Sequence, residues 1–126
     1  MSRKAQKSLK QFMGAWVKKD YQKMHLVSQE TWKSEQKPFE GLSWFSKQTF
    51  GNVSIEDYKI TGSTVVKKDK IIDFYVQVKH KGKWSDKGRV RLLCEDKPYS
   101  LSPEGRWGVN PVSATSLFHE IAVLDS

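Results

Sequence analysis

Apolar residues change their spacing once along the chain, from a helical period to a period of two. Near the N-terminus they recur three and four residues apart and form one stripe: Ala5, Leu9, Phe12, Met13, Trp16 and Val17. From Val53 onward apolar and polar residues alternate, which is typical of strands with one buried face. The pattern predicts an α+β fold, with N-terminal helices packed on an antiparallel sheet and residues 1–126 in a single domain.

Capping signals predict further short helices before the sheet begins. Asp20 is a good N-cap for a second helix, and Ser28 can cap a third helix that Pro38 terminates. A fourth helix is predicted over 41–50, with Gly51 just beyond its C-terminus.

Two alternating segments on either side of the polar turn 67–70 predict a hairpin. One register places both apolar sets on the same face, and it makes these pairs: Val66 with Ile72, Ile60 with Val78, and Tyr58 with His80. The first strand is then expected to direct these residues inward: Tyr58, Ile60, Gly62, Thr64 and Val66.

The remaining strands complete a curved, four-stranded antiparallel sheet. The third strand is expected to turn Val90, Leu92 and Cys94 inward, and Arg89, Arg91 and Glu95 outward. The fourth strand begins at Arg106, after the turn 102–105. The tail, 116–124, is apolar enough either to extend that strand or to dock as a short helix.

Two short motifs in this arrangement resemble the NTF2-like, or cystatin-like, superfamily. One is the helix Phe12–Trp16 followed by the acidic and aromatic turn 19–24, and the other is the closing strand 104–109, with its Gly, Arg and Trp. The resemblance in the order of elements covers nearly the whole chain. It implies that a bent sheet wraps the helices into a cone, and members of the superfamily include enzymes, transport factors and accessory domains.

The charge of the chain favours anionic partners. Its 22 Lys and Arg exceed its 14 Asp and Glu and give a net charge of +8, which attracts nucleic acid, lipid surfaces or acidic proteins. The excess is mostly Lys and is found in both halves, which indicates diffuse attraction rather than specific phosphate recognition. We therefore expect the main consequence of the positive charge to be solubility, and we do not expect nucleic acid to be the partner.

Several classes of function find no support in the sequence. Cys94 is the only cysteine, so it can form no disulfide within the chain and no cysteine-based zinc site, and we expect it to be a buried apolar residue. No segment is long and apolar enough to span a membrane, and we expect no signal peptide because no hydrophobic stretch follows the charged N-terminus. We expect a cytoplasmic protein or the soluble part of an anchored one.

No catalytic, cofactor or metal motif can be recognised. The three histidines have no metal-binding spacing, and Asp73 is expected to point outward into solvent because it alternates with Ile72 and Phe74. Enzymes of the superfamily place acid or base side chains inside the cone, and no Asp–His pair here matches those positions. We therefore expect no cofactor and no bound metal, and the sequence does not favour an enzyme.

Three hypotheses about function follow. The first is a non-catalytic binding or protein-interaction module that forms a homodimer through the outer sheet face, with these residues on that face: Tyr75, Gln77, Arg91 and Leu93. The second is a site for a small apolar ligand, or a cryptic enzyme, in the cone, lined by these residues: Tyr58, His80, Trp16 and Phe74. The third is nucleic-acid binding through the basic hairpin 79–91. A simpler interpretation of its lysines is that they protect an exposed sheet edge against pairing with other sheets.

Overall fold

The structure is a computed structural model that describes residues 2–126. The helices are α1 (Arg3–Val17), α2 (Tyr21–Leu26), α3 (Glu30–Ser34), α4 (Glu40–Ser43), α5 (Pro111–Ala114) and α6 (Ser116–Leu124). The strands are β1 (Asp57–Lys67), β2 (Ile71–His80), β3 (Lys83–Trp84), β4 (Gly88–Lys97), β5 (Ser100–Leu101) and β6 (Arg106–Val109). The α+β class predicted from the sequence is confirmed.

Helix α1 forms as its apolar stripe predicts. The Ser2 hydroxyl oxygen accepts a hydrogen bond from the amide of Ala5 and caps the first turn. The stripe is buried except at Val17, which is partly buried, and Leu9, Phe12 and Trp16 have no exposed surface. The helix ends where Lys19 takes a left-handed conformation, at a φ of 60°. Packing of this single face therefore fixes α1 against the rest of the protein.

Helix α2 forms as predicted, with the Asp20 carboxylate accepting from the amide of Lys23, but the short helices after it differ from those predicted. Ser28 does not cap α3, because its hydroxyl donates back to the carbonyl of Met24. The segment predicted as one helix over 41–50 divides into α4, a π-helical turn at Trp44–Gln48 and a 3₁₀ turn at Phe50–Asn52. Gly51 lies inside the last turn, where a Cβ atom would approach the carbonyl oxygen of Ser46 to 1.9 Å. Close backbone contact, rather than a helix terminus, requires this glycine.

The antiparallel sheet has six strands where four were predicted. The long strands β1, β2 and β4 lie side by side, and β5 and β6 both pair with β4. The two additional strands, β3 and β5, have two residues each, which is too short to produce an alternating pattern in the sequence. The sheet is not closed.

Two β-bulges in β1, at Thr61 and Val66, make the predicted register of β1 and β2 wrong. Tyr58 pairs with Val78 and Ile60 with Val76, but beyond the bulge Gly62 pairs with Tyr75. Each additional residue reverses the faces of β1, so in the segment between the two bulges Gly62 and Thr64 lie on the outer face instead of the inner one. Thr64 accordingly lies 3.0 Å from the hydroxyl of Tyr75, atom Oγ1 to Oη.

Aromatic rings fill the space between the helices and the inner face of the sheet. Phe50 is at the centre, with its ring centroid 4.9 Å from Trp16 and 4.9 Å from Phe118. Phe118 belongs to α6, so the tail forms a helix that docks into the core, one of the two predicted alternatives. Edge-to-face contacts of this kind add to the free energy of burial and hold the helices at fixed angles.

Candidate functional site

The interior side chains predicted to line a cavity are packed in the core. Trp16 and Phe74 have no exposed surface. The indole Nε1 of Trp16 donates to the carbonyl oxygen of Val53 at 2.8 Å, which satisfies its only polar group. These two positions therefore contribute packing and one buried hydrogen bond.

Tyr58 and His80 are the polar pair predicted for the mouth of the cone. They lie on the same face of the sheet, but they are not directly opposite each other as predicted. The hydroxyl of Tyr58 donates to the carbonyl oxygen of Lys10 at 3.4 Å and so joins β1 to α1, and burial raises the pKa of this phenol. His80 Nδ1 lies 2.9 Å from the carbonyl oxygen of Ser54, and its Nε2 lies 3.4 Å from Asp125 without forming a hydrogen bond. Each side chain joins its strand to a different part of the fold.

On the outer face, Asp73 points away from the core as predicted but is only 4% exposed, so the expectation that solvent surrounds it is wrong. Its carboxylate accepts from Nε of Arg91 at 2.8 Å and from Nη2 at 3.1 Å. This two-pronged hydrogen bond raises the pKa of Arg91. Arg89 adds a second cation at 3.9 Å. A carboxylate flanked by two arginines is thus buried on a sheet face expected to be open.

The rest of the predicted interaction face is half-buried and ordered. Tyr75 and Gln77 alternate with core residues on β2, and Leu93 lies across from Ile71 on β4. The amide of Gln77 donates to the carbonyl oxygen of Ser85 at 2.8 Å. The four residues predicted for this face, with Asp73, are hereafter called the outer patch.

The basic hairpin 79–91 contains less free aromatic surface than its sequence indicates. Trp84 is 36% exposed, and Nζ of Lys59 lies 4.1 Å from the ring centroid. Lys81 lies 3.6 Å from a carboxylate oxygen of Asp125. One face of the indole and one of the hairpin cations therefore already have partners within the chain.

A buried carboxylate at the opposite end of β4 was not singled out from the sequence. Glu95 is 4% exposed, and its oxygens accept from the amide and the hydroxyl of Thr31 and from the side-chain amide of Gln29. These bonds cap the N-terminus of α3 from another element, in place of the predicted cap at Ser28. The alternation of β4 shows only that Glu95 points outward, and gives no sign of this long-range contact.

The exposed side of α1 carries a large share of the net charge of the chain. The first 23 residues hold seven of the 22 Lys and Arg but only one of the 14 Asp and Glu, and thus +6 of the net charge of +8. Five of these cations, all exposed, border two adjoining grooves on α1 and α2: Arg3, Lys7, Lys10, Lys18 and Lys23. We call this set the α1 basic face. None of the five is in an ion pair among residues 2–126.

Metal-binding and membrane-spanning features were sought over residues 2–126. No group of three or more His, Cys, Asp or Glu side chains there is arranged to hold a metal ion. No helix in this range is long and apolar enough to cross a membrane. Cys94 is buried, and this burial raises the pKa of its thiol.

We find no family model that matches the chain and no characterised protein with a similar sequence.

Proposed function

We propose that the chain is a non-catalytic interaction module with an NTF2-like fold that forms a homodimer through the outer patch. The observation that carries this proposal is the packed interior, where Trp16 and Phe74 have no exposed surface. A ligand site needs a cavity of roughly 300 Å³ or more with polar groups directed into it. With these side chains in the core, the surface of the protein is the better candidate for function.

The composition of the outer patch suits a protein interface. Tyr and Arg are enriched where proteins bind each other, and Tyr75, Arg91 and Leu93 are all partly accessible. The bond to Asp73 holds the guanidinium of Arg91 in one orientation before any partner arrives. A side chain ordered in advance loses less conformational entropy on binding.

A two-fold dimer requires a patch that is complementary to itself. Nζ of Lys87 lies 5.2 Å from the centroid of the Tyr75 ring, so the guanidinium of Arg91 from the other copy would stack on the opposite face of that ring, and each copy then supplies one cation and one ring. Because Asp73 neutralises part of the local positive charge, two copies of this face repel each other less than their arginines alone would indicate.

Sedimentation velocity of the wild type beside Tyr75→Ser and Leu93→Ser tests the proposal. We expect a concentration-dependent dimer for the wild type and a rise in the dimer Kd on the order of ten-fold or more for each variant. Leu26→Ser is the matched control, because Leu26 is 66% exposed on α2, away from the outer patch. A wild type that remains monomeric at high concentration contradicts the proposal, as does equal weakening by the control.

Arg91→Glu is unsuitable for this test. It would place a second carboxylate against the buried Asp73 and would unfold the protein as well as alter the surface. The two serine substitutions leave this ion pair in place, so their effects on association can be separated from effects on folding.

A further inference from the structure

We propose that the protein also binds double-stranded nucleic acid, independently of base sequence, through the α1 basic face. This surface is distinct from the outer patch. Its cations are close together along one helix, and none of them has a carboxylate partner among the described residues.

The helix arranges these cations as a row. Arg3, Lys7, Lys10 and Lys18 recur at helical spacing on one side of α1, and at 1.5 Å per residue the row is about 22 Å long. Lys23 of α2 stands across a groove of about 290 Å³ from it. A row of this length can contact several successive phosphates of a nucleic-acid backbone.

The floor of that groove is open. Gly14 and Ala15 form it, and a Cβ atom added to Gly14 would have no neighbour within 4 Å. The lysine side chains on either side can therefore reach toward an anionic strand without displacing part of the protein. Lys supplies a compact charge that binds phosphate without base recognition, which is why we infer binding that is independent of sequence.

The chemistry of the face favours nucleic acid over an acidic protein or a bilayer. Lysine is depleted in the centres of protein interfaces, whereas nucleic-acid interfaces are strongly cationic. The apolar side of α1 is buried in the core, so the row offers no apolar side chain to insert into lipid. It also has no exposed aromatic ring to stack on an unpaired base, which favours the backbone of a duplex.

The test is fluorescence anisotropy of a labelled 20-base-pair duplex with the wild-type protein over a range of salt concentrations. Five phosphate contacts give a slope of log K against log salt of about −4.5. Replacing Lys7, Lys10 and Lys18 with Gln should reduce the magnitude of that slope by roughly 2 to 3 and abolish measurable binding at physiological salt.

A charge-matched control separates the α1 basic face from net charge alone. Lys47, Lys83 and Lys97 are exposed, border neither groove of the α1 basic face and form no ion pairs among the described residues, and replacing all three with Gln removes the same charge. Equal loss of binding in both triple variants overturns the proposal. So does an absence of duplex binding at 50 mM salt, including the case in which the protein instead binds vesicles of phosphatidylcholine and phosphatidylglycerol or an acidic peptide.

Two substitutions at Gly14, equal in side-chain size but different in charge, test whether the nucleic acid lies in the groove. Gly14→Gln and Gly14→Glu add side chains of equal size into open space, and the second adds a negative charge between the lysines. We expect Gly14→Glu to bind the duplex several-fold more weakly than Gly14→Gln while both fold normally. Equal affinities for the two variants would place the nucleic acid elsewhere.

Discussion

The outer patch and the α1 basic face both carry cations, but within the described part of the chain the arginines on the sheet have a carboxylate partner and the cations on α1 do not. On the sheet, Arg89 and Arg91 surround the buried Asp73. On α1, the cations project into solvent, and none of them lies near enough to a carboxylate to form an ion pair among residues 2–126. The first arrangement stabilises the monomer, whereas the second raises its electrostatic energy unless an external anion is bound.

This difference shows why the net charge alone is a poor guide to function. A cation that forms a two-pronged hydrogen bond with a carboxylate is largely neutralised by it and attracts other anions only weakly. A lysine in solvent keeps that attraction, and several in a row add their fields together. The location of the unpaired cations, rather than the total number of cations, therefore identifies a surface that can bind a polyanion.

The largest expected effect comes from removing the counterion on the sheet. Asp73→Asn leaves two arginines without their carboxylate, and we expect it to lower the free energy of unfolding by about 2 kcal/mol in urea denaturation. A fully buried pair would cost roughly 3 to 5 kcal/mol, but the side chain of Arg91 is 37% exposed. Asp69→Asn, in an exposed turn, is the control. Equal stability of the two variants would show that the pairing does not stabilise the fold.

Neutralising the α1 basic face should have a smaller effect of the opposite sign. In the variant with Gln at positions 7, 10 and 18, we expect the free energy of unfolding to rise by about 0.5 kcal/mol at low salt, because like charges repel along the helix. At 1 M salt the gain should disappear, since the Debye length falls to about 3 Å. A loss of stability at low salt would indicate that these lysines have partners within the fold.

The smallest effect concerns a third kind of cation, one that forms only when a histidine is protonated. Burial, and then the charge of Lys33, lower the pKa of His25 below its ordinary value of 6.5. The unfolded chain therefore takes up this proton first, so the contribution of His25 to stability is complete above about pH 7 and declines as pH falls through 6.5. Thermal unfolding between pH 5 and 7.5 measures it, and His25→Gln should flatten that part of the curve. An unchanged slope in the variant would assign the effect to other groups.

The coarse fold follows from residue patterns that act locally. The stripe of α1 and the alternation of β2 and β4 are each produced by burial of one face, so the sequence predicts the α+β class and the inward residues of these elements. The bulge at Thr61 could not be predicted in this way, because a single inserted residue changes the pairing without changing the local alternation. Together with the second bulge at Val66, it places Gly62 and Thr64 on the face opposite to the predicted one.

The candidate surfaces show the same division. Alternation places Arg91 and Asp73 outward, but the burial of Asp73 depends on arginines 16 and 18 residues farther along the chain. The positive charge of the first 23 residues can, by contrast, be found from the sequence alone. A count of the charged residues and the helical spacing of α1 are sufficient. A count over whole halves of the chain conceals that local excess.

The most direct measurement is a titration of the ¹⁵N-labelled wild type with a 12-base-pair duplex, followed by amide chemical shifts. If the unpaired cations are the binding surface, shifts should concentrate in residues 3–23, and the amides of residues 73–93 should change little. Shifts centred on β2 and β4, or spread evenly over the basic residues of the chain, would contradict the distinction between paired and unpaired cations.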